Sequence, residues 1–318
     1  MRTYLMTRLV WTVPVLIGAV TVIFVIMQIL PGDVALVIQG GDEGSRLSAE
    51  DMERLRTKMG LDRPIHVRYL EWLSGVARLD LGVSLWTGQP VIREVGLRFP
   101  VSLQLVIMSV LLSALLAIPI GILSALKQDS FTDYALRSLL IGGLSIPNFW
   151  LGMLVILGLM SAFRWMPPLE YSTIFTDPWT SFQQFIFPAL VLGYRQTAVS
   201  ARMTRSAMLE VLRADYVRTA RSKGLREQIV VWRHAFGNAI LPVVTIFGLE
   251  MAVLFSGAVV IEKVFTLPGM GSFLVDAIAH RDVPVVQAVV GLIVLFVVAA
   301  NLLVDLAYGF FDPRIRYR

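Results

Sequence analysis

Cysteine is absent from the 318 residues, which excludes disulfide-stapled folds, thiol chemistry and cysteine-ligated metals. Charge is scarce: Asp, Glu, Lys and Arg make up 16% of the chain, against about 25% in a soluble globular protein. The three histidines, His66, His234 and His280, lie far apart, and there is no H-E-x-x-H helix. Also missing are a G-x-x-x-x-G-K-[ST] loop to cradle ATP phosphates and a G-x-S-x-G nucleophile elbow. No catalytic residue, resident metal or cofactor site is therefore expected on this chain. A soluble enzyme and a disordered regulator are both excluded.

What fills the chain instead is apolar surface. Hydrophobic residues are 56% of the sequence and mean hydropathy is +0.71, more than one compact core can hide. The sequence predicts an all-α integral membrane protein. A spanning helix needs about 20 mostly apolar residues. Leu9–Leu30, Val101–Leu126, Ser138–Phe163 and Val283–Val304 meet this without a charge, and Ala235–Ile261 meets it with one, Glu250. A sixth, Pro178–Tyr194, is shorter and interrupted by Pro188, and must run past Arg195 to span.

Loop charges orient these six helices. With the N-terminus in the cytoplasm, inside segments hold Arg2, Arg8, Lys127 and Arg137. They also hold nine basic residues between Arg195 and Arg233, and Arg314, Arg316 and Arg318. Short outside loops hold Arg164, Lys263 and Arg281, so the bias is positive-inside. Dropping the sixth candidate would put the nine-cation loop outside. The net charge of +5 thus belongs to loops and calls for no nucleic-acid partner. The sequence divides into 1–30 (N-terminus and first span), 31–99 (an external loop) and 100–318 (the spanning core). In the external loop, Ser48–Met59 has N-cap and stop signals for a helix. Over Ile65–Ala77, Tyr69, Trp72, Leu73 and Val76 share one helical stripe. That stripe fits a helix lying on the membrane, or a docking surface for an external partner.

The cytoplasmic segment, about 203–235, is the richest in signals. Leu209, Leu212, Tyr216 and Ala220 fall on one helical stripe flanked by arginines, and Gly224 is placed to end the helix in a left-handed conformation. A second short helix, about Arg226–Phe236, leads into Ile240-Leu241-Pro242. Such a basic amphipathic element suits either an anionic lipid surface or a groove on a soluble partner. Within the spans, Glu250 is an intramembrane acid and so a pathway candidate, or else a contact to a partner subunit. Asn148, Phe149 and Trp150 follow Pro147, which frees a backbone carbonyl; they line a cavity or simply pack.

The run Asp215-Tyr216-Val217-Arg218-Thr219-Ala220-Arg221-Ser222-Lys223-Gly224-Leu225, with Arg233-His234-Ala235 and Asn238-Ala239-Ile240-Leu241-Pro242, resembles the coupling loop of ABC-importer permeases. It is most similar to the dipeptide/oligopeptide/nickel branch. Leu30-Pro31-Gly32-Asp33, Gly60-Leu61-Asp62-Arg63-Pro64, Asp80-Leu81-Gly82-Val83-Ser84 and Ser145-Ile146-Pro147-Asn148-Phe149-Trp150-Leu151-Gly152 extend the resemblance. So do Ser256–Glu262, Pro268-Gly269-Met270-Gly271 and Asp312-Pro313-Arg314-Ile315-Arg316. The general Glu-Ala-Ala signature is replaced by Arg218-Thr219-Ala220, so only Ala220 and Gly224 match it, and no salt bridge from its Glu carries over.

The resemblance implies a type I importer permease, half of a translocation pathway for a peptide or related solute. Nickel complexes, opines and oligosaccharides stay open. It implies a second homologous permease as heterodimer partner, two cytoplasmic ATPase subunits holding ATP and Mg, and an extracytoplasmic binding protein. It also implies a bacterial or archaeal inner membrane, with both termini cytoplasmic. ATPase coupling would rest on Asp215, Tyr216, Arg218, Thr219, Ala220, Lys223, Gly224 and Leu225. The competing class, an ion-coupled secondary carrier, ordinarily shows inverted repeats and several intramembrane charges.

Overall fold

A computed structural model of the chain describes residues 2–29, 63–168 and 170–311. The expected helix Ser48–Met59 and the motifs at 30–33, 60–62 and 312–316 fall outside that set. Regular structure among the described residues is helical, apart from one isolated bridge, Val83 to Pro90. In order come α1 (Arg2–Ile29), α2 (Ile65–Ala77), α3 (Val91–Leu126), α4 (Phe131–Ser145), α5 (Asn148–Phe163) and α6 (Pro178–Leu212). Then follow α7 (Asp215–Ser222), a helical turn Glu227–Ile229, a π-helix Val230–Phe236, α8 (Gly237–Val264), α9 (Met270–Ala279) and α10 (Val283–Phe311). Among the described residues, four stretches, Val10–Gln28, Val91–Leu126, Glu227–Met251 and Val283–Leu302, are long and apolar enough to cross a membrane.

Two of the expected spans need correction or extension. Ser138–Phe163 is not one helix. It breaks at Ile146, which is extended (φ −97°, ψ 125°), and at Pro147 (φ −61°, ψ 134°), the N-cap of α5. The cause is local: a residue before proline is pushed out of the α region, and proline brings no N–H to continue the ladder. The sixth candidate does run past Tyr194 and Arg195, for 35 residues in all. It starts where Asp177 accepts from the N–H groups of Trp179 and Thr180, both at 3.1 Å, with Pro178 in the first turn where its missing N–H costs nothing.

The chain divides into two compact units. One comprises Met1–Leu5, Ser102–Leu267 and Val297–Arg318; the other comprises Met6–Val101 and Pro268–Phe296. In the first, α8 lies extensively along α6, with α4 and α5 also against α6. Small residues set the spacing. A Cβ on Gly193 would sit 2.8 Å from the Ser109 carbonyl oxygen, and one on Gly121 would sit 2.6 Å from Thr204 Cβ. Backbones that close leave no room for a side chain, the usual reason glycine recurs where membrane helices meet.

In the second unit, Val91, Val95, Met270, Phe273, Val285 and Val289 form the buried core. Asp282 ties the preceding loop to it, accepting from Ser84 Oγ at 2.5 Å and from the N–H groups of Leu85 and Trp86 at 3.2 and 3.3 Å. The aromatic stripe of α2 meets the chain's own first helix. Tyr69 and Trp72 pack on Phe24 of α1, with ring centroids 5.3 and 5.5 Å away, and Tyr69 Oη meets Thr21 Oγ1 at 2.6 Å. These contacts cover the stripe only in part, and none of its residues is fully buried.

Candidate functional site

In the segment 203–235, the helix expected to run to Gly224 is divided in two, and the second expected helix is a short turn followed by the π-helix. Residues up to Leu212 continue α6. Arg213 ends that helix, Ala214 is extended (φ −70°, ψ 146°), and α7 starts anew at Asp215. The expected stripe is therefore split. Leu209 and Leu212 belong to α6 and pack against a cluster of Ile122, Ala125, Met208, Val231 and Ala235. On α7 the buried residues are Val217 and Ala220, which meet Val230 of the π-helix, while Tyr216 keeps 44% of its surface exposed. The π-helix packs two ways: Val230 meets α7, while Val231 and Ala235 join the cluster of Ile122, Ala125 and Met208.

Gly224 ends α7 as its position predicts, at φ +75°. Its N–H donates to the Arg221 carbonyl at 2.9 Å, and the Leu225 N–H to the Ala220 carbonyl at 3.4 Å. This is the paired bonding of a Schellman cap. Lys223 is the residue just before the turn, and Thr219 Oγ1 donates back to the Asp215 carbonyl at 2.9 Å. Asp215 and Arg218 face each other loosely at 3.5 Å, both largely exposed. Arg221 makes two bonds to Glu227, at 2.7 and 3.2 Å. The outcome is a short helix with an apolar back, fixed at both ends, presenting Tyr216, Arg218 and Leu225 outward.

A second constellation escaped sequence reasoning. Asp133, in the first turn of α4, is fully buried. It accepts from Arg205 Nη2 and Nε at 2.7 and 3.0 Å, from the Asp129 N–H at 3.1 Å and from the Ser124 hydroxyl. The Arg205 hydrogen bonds, aided by those of Ser124 and Asp129, hold the carboxyl well below the usual carboxylate range. One carboxylate thus joins the end of α3, the start of α4 and the portion of α6 that leads into α7. Arg205 lies 72 residues from Asp133 in sequence, and no local pattern links the two.

The pathway candidates separate into two groups. Phe149 and Trp150 are each 46% exposed, on the outer surface of the chain. They do not line the cavity of about 300 Å³ beside the helix break, whose walls include Ile146, Leu151, Val155, Ala189, Gly193 and Tyr194. Asn148 turns the other way: its Nδ2 lies 3.9 Å from the point a Cβ on Gly257 would occupy. Glu250 is paired within the chain, accepting from Arg195 Nη1 at 3.4 Å. Arg195 reads in the sequence only as a loop charge; with α6 continuous it stands at mid-helix.

Two family models match the sequence. Residues 117–317 match the binding-protein-dependent transport system inner membrane component, and residues 1–106 match the N-terminal part of the same kind of membrane component. An oligopeptide transport system permease protein of Bacillus subtilis (strain 168) is 38% identical over 320 residues, covering all of both chains. A di/tripeptide transport system permease protein of Pseudomonas aeruginosa (strain UCBPP-PA14) is 38% identical over 339 residues, and a dipeptide transport system permease protein of Escherichia coli (strain K12) is 38% identical over 342, again covering both chains in full. Matched along nearly its whole length to a family whose members are inner-membrane permeases, this multi-pass helical chain belongs to the binding-protein-dependent transport system inner membrane component family and is a permease subunit of an ABC importer.

Proposed function

We propose that the chain forms half of a peptide translocation pathway and takes its energy from an ATPase subunit seated on α7. The observation that carries the coupling role is the build of α7 itself. Val217 and Ala220 anchor it to the π-helix, a Schellman turn closes it, and Tyr216 and Arg218 are left facing outward. A rigid protruding helix of this kind suits a groove on a soluble partner and transmits motion as a body. Under this reading the chain pairs with a second homologous permease, and two ATPase subunits bind and hydrolyse ATP. An external binding protein delivers the peptide. Both termini, and α7 with them, lie on the cytoplasmic side. The peptide cargo is supported by the oligopeptide, di/tripeptide and dipeptide names of the relatives.

The test is reconstitution of the four-subunit complex in vesicles with the loaded binding protein. Peptide uptake is expected only with both ATP and the binding protein. Tyr216→Ala is expected to lower stimulated hydrolysis and uptake together, by about tenfold for a buried aromatic anchor, while Arg218→Ala changes them little, as for a rim charge. Uptake without ATP would overturn the proposal, and unchanged stimulation in Tyr216→Ala would remove that residue as the anchor.

A further inference from the structure

Arg195 stands seventeen residues from either end of α6, and Glu250 stands near the middle of α8. Their contact is a single long one, 3.4 Å from Arg195 Nη1 to Glu250 Oε2, and the arginine side chain keeps 45% of its surface against 16% for the glutamate. By contrast, Arg205 makes two bonds to Asp133 and keeps 19%. Arg195 directly follows the apolar stretch 178–194 and Glu250 lies inside the apolar run 235–261, so this half-exposed guanidinium sits at the edge of the membrane-spanning part of α6. Intramembrane charges turn to the bundle interior or a water-filled route, and they mark where a substrate or ion passes.

The surroundings place this pair beside the broken helix. Gly257 follows Glu250 by seven residues, two turns along the same face of α8, about 10 Å away along the axis. Asn148 Nδ2 is 3.9 Å and Leu192 Cδ1 is 3.1 Å from the position of a Cβ on Gly257, and Arg195 is one turn beyond Leu192. The ion pair and the first residue after the Ile146–Pro147 break therefore line the same α6–α8 seam.

We infer that Arg195 and Glu250 form a binding site for the charged termini of a zwitterionic peptide, the carboxylate on Arg195 and the ammonium on Glu250. This rests on the peptide-importer reading above. The chemistry is an exchange in kind. Without peptide the two charges compensate each other; with peptide each is met by the opposite terminus. No bare charge is left on either helix in either state. A dipeptide spans about 7 Å end to end, so the side chains must part to admit it, and one 3.4 Å contact is easier to open than a bidentate pair.

Specificity ratios test this, because the binding protein's own selection is common to every variant and cancels. In the reconstituted complex, uptake of a free dipeptide is compared with that of its N-acetylated and C-amidated forms. Glu250→Gln is expected to lower the free-to-acetylated ratio by about tenfold, and Arg195→Gln the free-to-amidated ratio by a similar factor, as when a charged hydrogen-bond partner is removed. Arg195→Lys, which keeps the cation, should retain the wild-type ratio. Unchanged ratios in both neutral variants would overturn the site while leaving the importer reading intact; failure of the wild-type complex to take up free dipeptide would instead sink that reading. If both neutral variants fail to assemble, the pair is a structural tie and the inference falls.

Discussion

Asp133 and Arg205 carry a consequence that a single residue can report. A buried carboxylate with four donors is stabilising only while its partner remains, because removal of the cation leaves a desolvated charge unmatched. Arg205→Ala should therefore destabilise the purified chain by about 3 kcal/mol, read as a lower midpoint in thermal unfolding. Arg205→Met with Asp133→Leu, which removes both charges and fills the volume, should recover most of that loss. If the single variant unfolds like the wild type, the pair contributes nothing to the fold. The depressed Asp133 titration sets the pH window. Its contribution is complete above the ordinary carboxylate range and is lost only as pH falls through the lower folded value. Near neutral pH no change is expected from this group.

Among the helices, α7 and the α4–α5 break show what could be read in advance and what could not. Gly224 was legible because a left-handed cap has few alternatives to glycine, and Pro147 announced a freed carbonyl. The split of α6 from α7 at Arg213 and Ala214 had no breaker residue to announce it. The π-helix was hidden too, since its buried Val230, Val231 and Ala235 also fit an ordinary helical stripe in part. The α2 stripe was legible as a stripe, but its contact with Phe24 was not, because pairing across 48 residues leaves no local trace. From the cap follows a prediction about α7 as a unit. A Cβ at Gly224 meets no atom within 4 Å, so Gly224→Val acts through φ +75° alone, at about 1–2 kcal/mol for a β-branched residue there. The last turn of α7 should loosen. Uptake by the reconstituted complex should fall while the amount of chain inserted in the membrane stays the same. Full uptake would mean that the geometry of the cap does not matter to coupling.

For the molecule as a whole, the continuity of α6 changes the arithmetic of orientation without changing its sign. Arg195 stands within α6 rather than in a loop, and eight further basic residues run from Arg202 to Arg233. That excess still favours the cytoplasmic side for α7 under the positive-inside rule. The loop before α6 then lies on the opposite side, and it offers a clean probe: Phe175 is 95% exposed and Ser222 ends α7 on the exposed surface. The native chain has no cysteine, so each introduced thiol reports alone. In intact cells an impermeant maleimide should label Phe175→Cys and leave Ser222→Cys unlabelled until the membrane is permeabilised. The reverse pattern would put α7 where there is no ATPase to dock, and the coupling role would have to be abandoned along with the topology.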